Sequence, residues 1–309
     1  MAKLYRKKIL LAKVETTYGV DPTPTGAANA ILTKDLTINL MQGNTVERNV
    51  DRATLGGDVA IHVAPHTTVT FSVEMPSSGA AGTAPGWGAL MQGCGFAETI
   101  VASTSAAYAP VSSGFKSLTL YFHIDGLLHK LTGCRGTVAA TMDPGGIPYL
   151  NFTFTGIRAA PTDTALPTPT LTGFKTPLPV NKANTPTFSL HGFAATVEKF
   201  SFDMANEITY RNVVGDESVM LVDRKPTGSV SLEEQALATK NFHDIALNST
   251  LGALQVVHGT TAGSIVQIDE PKVQLLSPTY ADSNGVLMLN LNLSLTPNAG
   301  DDELIITAK

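Results

Sequence analysis

Strict alternation of apolar and polar residues constrains this chain more than any other feature. It runs through Leu36-Thr37-Ile38-Asn39-Leu40, Val69-Thr70-Phe71-Ser72-Val73-Glu74 and Leu150-Asn151-Phe152-Thr153-Phe154-Thr155. It returns at Phe200-Ser201-Phe202-Asp203-Met204, Val230-Ser231-Leu232-Glu233 and Leu289-Asn290-Leu291-Asn292-Leu293-Ser294-Leu295. A period of two belongs to strands that bury one face and leave the other to solvent or a partner. Helical spacing is confined to two short stretches. Residues Pro85 to Cys94 set Trp87, Leu90 and Met91 on one stripe, and Thr239 to Leu247 do the same with Phe242, Ile245 and Ala246. The chain reads as mainly β.

At 309 residues it is too long for one ordinary core and suits two. The halves can be laid over one another. Asp35–Val50 (DLTINLMQGNTVERNV) matches Lys199–Val213 (KFSFDMANEITYRNV), both ending Arg-Asn-Val. Pro65 and Pro226 then open the next strand, a short helix follows, and a strand pair closes each half. Two unrelated antiparallel domains with similar strand lengths would give a weaker version of this order. Pro161, Pro167, Pro169, Pro177, Pro179 and Pro186 lie between the halves, where such density blocks regular sheet and helix. The expected organisation is an N-terminal arm over 1–30, a first domain over 31–158, a linker over 159–190 and a second domain over 191–309.

Composition narrows the function. Only 15% of residues are charged, and Thr, Ser, Asn and Gly fill the polar positions. Weakly charged surface is cheap to desolvate, which favours extensive protein–protein burial. A formal net charge of -5 argues against a chain that grips nucleic acid through a basic face. Two cysteines, Cys94 and Cys134, make no disulfide framework and suit a reducing compartment. The apolar run after Lys8 is soon interrupted by Lys13 and Glu15, shorter than an export signal, and no stretch approaches the length of a membrane span. A soluble chain without an export signal is expected.

Catalytic patterns are missing from the sequence. It has no phosphate-binding loop, no HExxH and no GxSxG, and the Gly86–Gly88 GWG has no dinucleotide fingerprint around it. Cys94, Cys134, His123 and His129 offer no close-spaced ligand pair for zinc. No enzymatic activity, metal or cofactor is expected.

Two long segments separate the first and second alternating strands of each half. Residues 47–66 carry Glu47, Arg48, Asp51, Arg52 and Asp58, and residues 207–226 carry Arg211, Asp216, Glu217, Asp223 and Arg224. Connections near twenty residues inside a compact domain usually have a function. Mixed charges suit arms that dock on a neighbouring subunit, although a solvated loop has the same composition.

Taken in order, these features resemble the major tail tube proteins of long-tailed bacteriophages. The cues are the opening Lys7–Leu32 (KKILLAKVETTYGVDPTPTGAANAIL), Thr45–Val50 (TVERNV) and Gly133–Gly156 (GCRGTVAATMDPGGIPYLNFTFTG), the last with a strand, a Pro-Gly-Gly turn and an alternating strand. The resemblance covers most of the chain, the first half more clearly. It implies β-sandwich or barrel tail-tube domains, each with a flanking helix and a long stacking loop, joined into a virion structural tube that conducts DNA into the host. Most such proteins have one tube domain and form six-membered rings. Two domains here would make three chains complete a homotrimeric, pseudo-sixfold ring.

Six domains of four strands give a barrel of about 24 strands, with a backbone diameter of roughly 48 Å and a bore of roughly 35–40 Å. Duplex DNA fits with clearance. Thr70, Ser72, Asn151, Thr153, Ser231, Glu233, Asn290, Asn292 and Ser294 are the expected lumen-facing residues, since their neighbours Val69, Phe71, Phe152, Phe154, Leu291 and Leu293 fill the cores. Small neutral groups with some carboxylate hydrate a wall without holding phosphate, although these positions would equally suit bulk solvent. The implied partners are further copies of the chain, tail terminator and distal tail proteins, the tape measure protein and then phage double-stranded DNA in the lumen. No membrane insertion is expected, and assembly would take place in the host cytoplasm before incorporation into the virion tail. The rivals are a capsid-decoration or adhesin-type protein, a polysaccharide-processing enzyme, and the tube of a contractile tail or secretion apparatus.

Overall fold

A computed structural model gives the fold and describes residues 2–309. The alternating segments are strands, and their order runs through the chain twice. The first series is β1 (Lys8–Val14), α1 (Gly26–Asn29), β2 (Ala30–Ile31), β3 (Lys34–Glu47), β4 (Ala60–Glu74), α2 (Gly88–Gly93), β5 (Phe96–Val101), β6 (Ser105–Pro110), β7 (Leu118–Ile124), β8 (Leu127–Met142) and β9 (Tyr149–Arg158). A two-residue β10 (Thr162–Asp163) follows. The second series is β11 (Thr187–Leu190), β12 (Phe193–Ala194), β13 (Val197–Asp203), β14 (Asn206–Val213), β15 (Asp216–Arg224), β16 (Thr227–Glu233), α3 (Phe242–Leu247), β17 (Leu251–His258), β18 (Val266–Ser283) and β19 (Val286–Leu295), closed by β20 (Ile305–Ala308).

Pairing repeats along with order. In the first series β1 joins β2 and β7, and the chain of pairs continues β7–β8–β9–β4–β3. In the second, β11 joins β12 and β17, and the pairs continue β17–β18–β19–β16–β13. The β5–β6 hairpin belongs to the first series alone, and β20 ties β6 to β18. Every one of these pairs is antiparallel.

The two series share a sheet. Ala139–Met142 of β8 pair with Phe200–Asp203 of β13, so eight strands run in the order β3-β4-β9-β8-β13-β16-β19-β18. At its ends, among the described residues, β3 pairs with β4 alone and residues 275–283 of β18 pair with β19 alone. Both outer edges are therefore open among the described residues.

Alternation dictates the core. Val69, Phe71, Phe152, Phe154, Leu291 and Leu293 are buried, and the Phe71 ring lies 5.6 Å from Phe152 and 6.1 Å from Phe154. Helices α2 and α3 stand where their spacing predicts. Trp87, Leu90 and Met91 of the first stretch are fully buried, and the Trp87 indole N–H donates to the Pro76 carbonyl at 2.8 Å. Gly136 lets β8 approach β9, since a Cβ there would sit 2.4 Å from the Thr153 carbonyl oxygen.

Three segments carry more structure than their composition suggests. Within the stretch expected as an N-terminal arm, β1 pairs with β7 along its length and Leu10 and Leu11 are buried. Its continuous apolar run is the signature of a strand covered on both faces, which carries no alternation to read. The linker ends in β11, which pairs with β17 once the prolines stop at Pro186. The long charged segments are mostly hairpins: β3 and β4 extend toward a turn at 48–59, and β14 and β15 pair over their whole length.

Candidate assembly surfaces

Residues opposite one another on neighbouring strands share a face, so register places the polar side chains. Ser72, Asn151, Ala139, Asp203, Thr227 and Ser294 form one row across six strands. Thr70 faces Thr153, Ser231 faces Asn290, and Ser229 faces Asn292. Glu233, two residues on from Ser231, keeps the same side. The polar residues picked from alternation thus come together on one face of the eight-stranded sheet, opposite the core. Hydroxyls and amides bond along it: Ser72 Oγ donates to Asn151 Oδ1 at 2.7 Å, and the Ser201 and Ser229 hydroxyls lie 2.7 Å apart.

Alternation alone does not reveal the cations of this face. Lys34 lies opposite Ser72 and Lys199 opposite Ser231, where they join the carboxylates of Glu74, Asp203 and Glu233. Neither ammonium stands alone. Lys34 Nζ sits 4.3 Å from the centre of the Tyr149 ring, and Lys199 Nζ lies 3.5 Å from Asp143 Oδ1. The face is mixed in charge, with no run of cations.

The charged residues of the long segments sit mainly on the two hairpins and their tips. Glu47 ends β3, and Arg48, Asp51, Arg52 and Asp58 belong to the exposed turn beyond it. Arg52 pairs with Asp58, which also takes the Val50 N–H at 2.9 Å. At the second tip Arg211 pairs with Asp216 at 3.1 Å, and Glu217 accepts from the Tyr210 hydroxyl. Asp223 holds Lys225 at 3.2 Å.

Arg224, read from the sequence as a docking residue, makes its contacts within its own chain. Its guanidinium donates to Glu303, to Asp301 Oδ1 at 2.5 Å, and to the Val111 carbonyl at 2.5 Å. Burial works against its charge, but the Glu303 and Asp301 carboxylates outweigh that and hold the guanidinium protonated. The Ser112 hydroxyl and Arg224 hold Asp301 below the usual carboxylate range. Separation in sequence hid this contact, since Arg224 and Glu303 meet only when the C-terminal segment folds beneath the hairpin.

The two hairpins have different surroundings. The β14–β15 hairpin leaves β13 at Ala205, which has a positive φ, and lies on the first series. Asn206 Nδ2 donates to the Cys94 and Gly136 carbonyls at 2.8 and 3.0 Å. Arg135 Nη1 donates to the Val219 carbonyl at 2.9 Å, and the Val219 N–H donates to the Tyr18 hydroxyl at 2.6 Å. Val219 and Leu221 are buried, and the Tyr210 ring stacks on His66 at 4.5 Å. The β3–β4 hairpin has no such bed, and almost all of residues 39–63 are exposed.

Burial pushes the Cys94 and Cys134 thiols well up, so both stay protonated small apolar groups. Among the described residues no three His, Cys, Asp or Glu side chains converge as metal ligands, and no helix is long and apolar enough to cross a membrane. Two grooves, of about 710 and 750 Å³, lie at the base of the β14–β15 hairpin and between the linker and β13.

Comparison with known families gives a match over nearly the whole chain: residues 6–297 fit the model of a family described as phage tail tube protein. No curated protein matches the chain.

Proposed function

The chain belongs to the phage tail tube protein family, and from that premise we propose that three copies close into each ring of a long, non-contractile tail tube. Each copy contributes two tandem tail-tube domains, one built on each series of strands. Rings stack into a hollow cylinder, and the genome leaves through it. The observation that carries this reading is the sheet with its two open edges.

Open edges invite pairing. The contact that would satisfy them already exists within the chain, where β8 of the first series meets β13 of the second. Because the series repeat, β18 is the counterpart of β8, and β3 is the counterpart of β13. One copy's β18 therefore offers the next copy's β3 what β8 offers β13. Such head-to-tail contacts generate a ring when the rotation closes.

Register follows from the same equivalence. Asn151 faces Ala139 and its counterpart Asn290 faces Thr279, so Thr141, two residues on from Ala139, corresponds to Ala281. Ser201 faces Ser229, as Thr37 faces Thr70 in the matching row. Thr141 pairs with Ser201 inside the chain, so Ala281 pairs with Thr37 of the next copy. Burial agrees with a missing partner. Ala140 is buried beside Phe202, while its counterpart Tyr280 is exposed.

Three copies of the eight-stranded sheet supply about 24 strands, enough for a bore of roughly 35–40 Å lined by the Ser, Thr and Asn rows. Mixed charge lets DNA slide, because at physiological salt scattered ions are screened within about 8 Å. The exposed hairpin tips, with Arg48, Asp51, Arg52, Arg211, Asp216 and Glu217, stack one ring on the next.

The test is a thiol cross-link between Thr37→Cys and Ala281→Cys in one chain. Directly opposed residues of an antiparallel pair bring their Cβ atoms within about 5 Å, inside the reach of a short cross-linker. The natural cysteines are buried and do not compete. Closed covalent trimers are expected from assembled tubes. Tubes whose chains stay unlinked would refute the edge pairing.

A further inference from the structure

We infer that the β3–β4 hairpin clasps the second series of a neighbouring copy, as the β14–β15 hairpin clasps the first series of its own chain. This rests on the ring proposed above and assigns it a second contact surface.

Both hairpins are amphipathic. In β14–β15, Ile208 faces Leu221 and Tyr210 faces Val219, and this apolar side is turned onto the first series, where Val219 and Leu221 are buried. In β3–β4, Val46 faces Ile61, and Val63 shares that side. Here nothing covers them: Val46 is 53% exposed and Ile61 51% exposed. A hairpin that leaves one whole apolar side in water is marginal on its own, and contiguous apolar exposure marks a contact surface.

Equivalence of the series locates the bed. The β14–β15 hairpin rests on the end of α2 and on the start of β8's sheet-facing half, touching Cys94, Gly95 and Gly136. The matching places in the second series are the end of α3 and the middle of β18. Gly95 and Ser249 each follow their helix by two residues, and both have positive φ. Around this bed lie Leu247, which is 81% exposed, with Leu251 and Leu276, also exposed. Large apolar side chains are thus uncovered both on the clasping hairpin and on the surface its counterpart covers elsewhere.

One chain cannot join the two. The β3–β4 hairpin and the α3–β18 surface belong to opposite edges of the eight-stranded sheet. A second copy placed by pairing β18 with β3 brings them together, in the relation that β13 and β8 impose on the docked hairpin. The occupant is therefore another copy of this chain. The clasp adds apolar area next to a sheet edge that supplies mainly backbone hydrogen bonds.

Ile61→Cys combined with Leu276→Cys tests the clasp with a short thiol cross-linker on assembled tubes. Links between chains, giving covalent oligomers, are expected. A second variant, Val46→Asp with Ile61→Asp, should raise the concentration needed for tube formation by about tenfold or more, while the monomer keeps its thermal unfolding profile. Rings that cross-link through Thr37→Cys and Ala281→Cys but not through Ile61→Cys and Leu276→Cys would overturn the clasp and leave the ring. So would unchanged assembly of the aspartate variant. Absence of both cross-links in assembled tubes would remove the ring itself.

Discussion

Replacing Arg224 with Met should destabilise the chain by about 3–4 kcal/mol, and the size follows from what the guanidinium leaves behind. Glu303, its partner through Nε, is only 4% exposed, and its Oε2 already has no hydrogen-bond partner. Methionine fills much of the volume but leaves that carboxylate buried and unpaired. Breaking a buried ion pair from one side costs about 3–5 kcal/mol. The second pair, with Asp301, is partly exposed and adds no more than about 1 kcal/mol. Some of the cost is recovered as water reaches Glu303. Equilibrium urea unfolding of the unassembled chain, followed by fluorescence of Trp87, measures the loss. The same substitution made beside Glu303→Gln should cost only about 1–2 kcal/mol, since no charge is then stranded. Proteolysis should concentrate in 206–224 of the single variant, because Arg224 ties that hairpin to the C-terminal segment. A loss below about 1 kcal/mol, or equal losses in the two backgrounds, would refute this account of the contact.

Glu270 is fully buried with neither carboxylate oxygen bonded, and burial raises its pKa well above the ordinary value of 4.5. A raised folded-state pKa gives stability that is full below 4.5 and declines as pH rises, at about 1.4 kcal/mol per pH unit until the folded pKa is passed. Glu270→Gln removes that decline, so its stability advantage should grow between pH 5 and pH 8; parallel unfolding profiles would contradict this. Reversing charge at Arg48 and Arg52 should shorten tubes in electron micrographs while ring mass and fold persist, and tubes of normal length and yield would exclude the first tip from stacking. Asn292→Lys adds cations to the polar face and should slow DNA ejection at low salt, with recovery as salt rises; a rate insensitive to both changes would place this face away from the genome.

The sequence showed the half-exposed strands and not the covered ones. Every alternating segment named from the residues is a strand, because period-two patterning survives wherever one face stays wet. β1 was hidden because Ile9, Leu10, Leu11 and Ala12 have no polar alternation to reveal them. β18 was hidden by Pro271 and Pro278, which argue against a long strand. Pro278 is accommodated at the register shift between Leu276 and Thr279, in the stretch whose outer edge is open. The nine polar residues came together on one face because strand register propagates a local pattern. Alternation does not place Lys34, because a register shift between Lys34 and Thr37 turns it onto that face. The buried pairing of Arg224 with Glu303 was not legible because the two lie far apart along the chain. Local chemistry was legible, and long-range pairing was not.

Reconstruction of the assembled tube by electron cryomicroscopy bears most directly on the central claim. Each ring should contain three chains and a continuous wall of about 24 strands, with β18 of each chain hydrogen-bonded to β3 of the next and the Ser72–Asn151–Asp203–Ser294 row turned inward. Six chains in a ring, or that row turned outward, would contradict it.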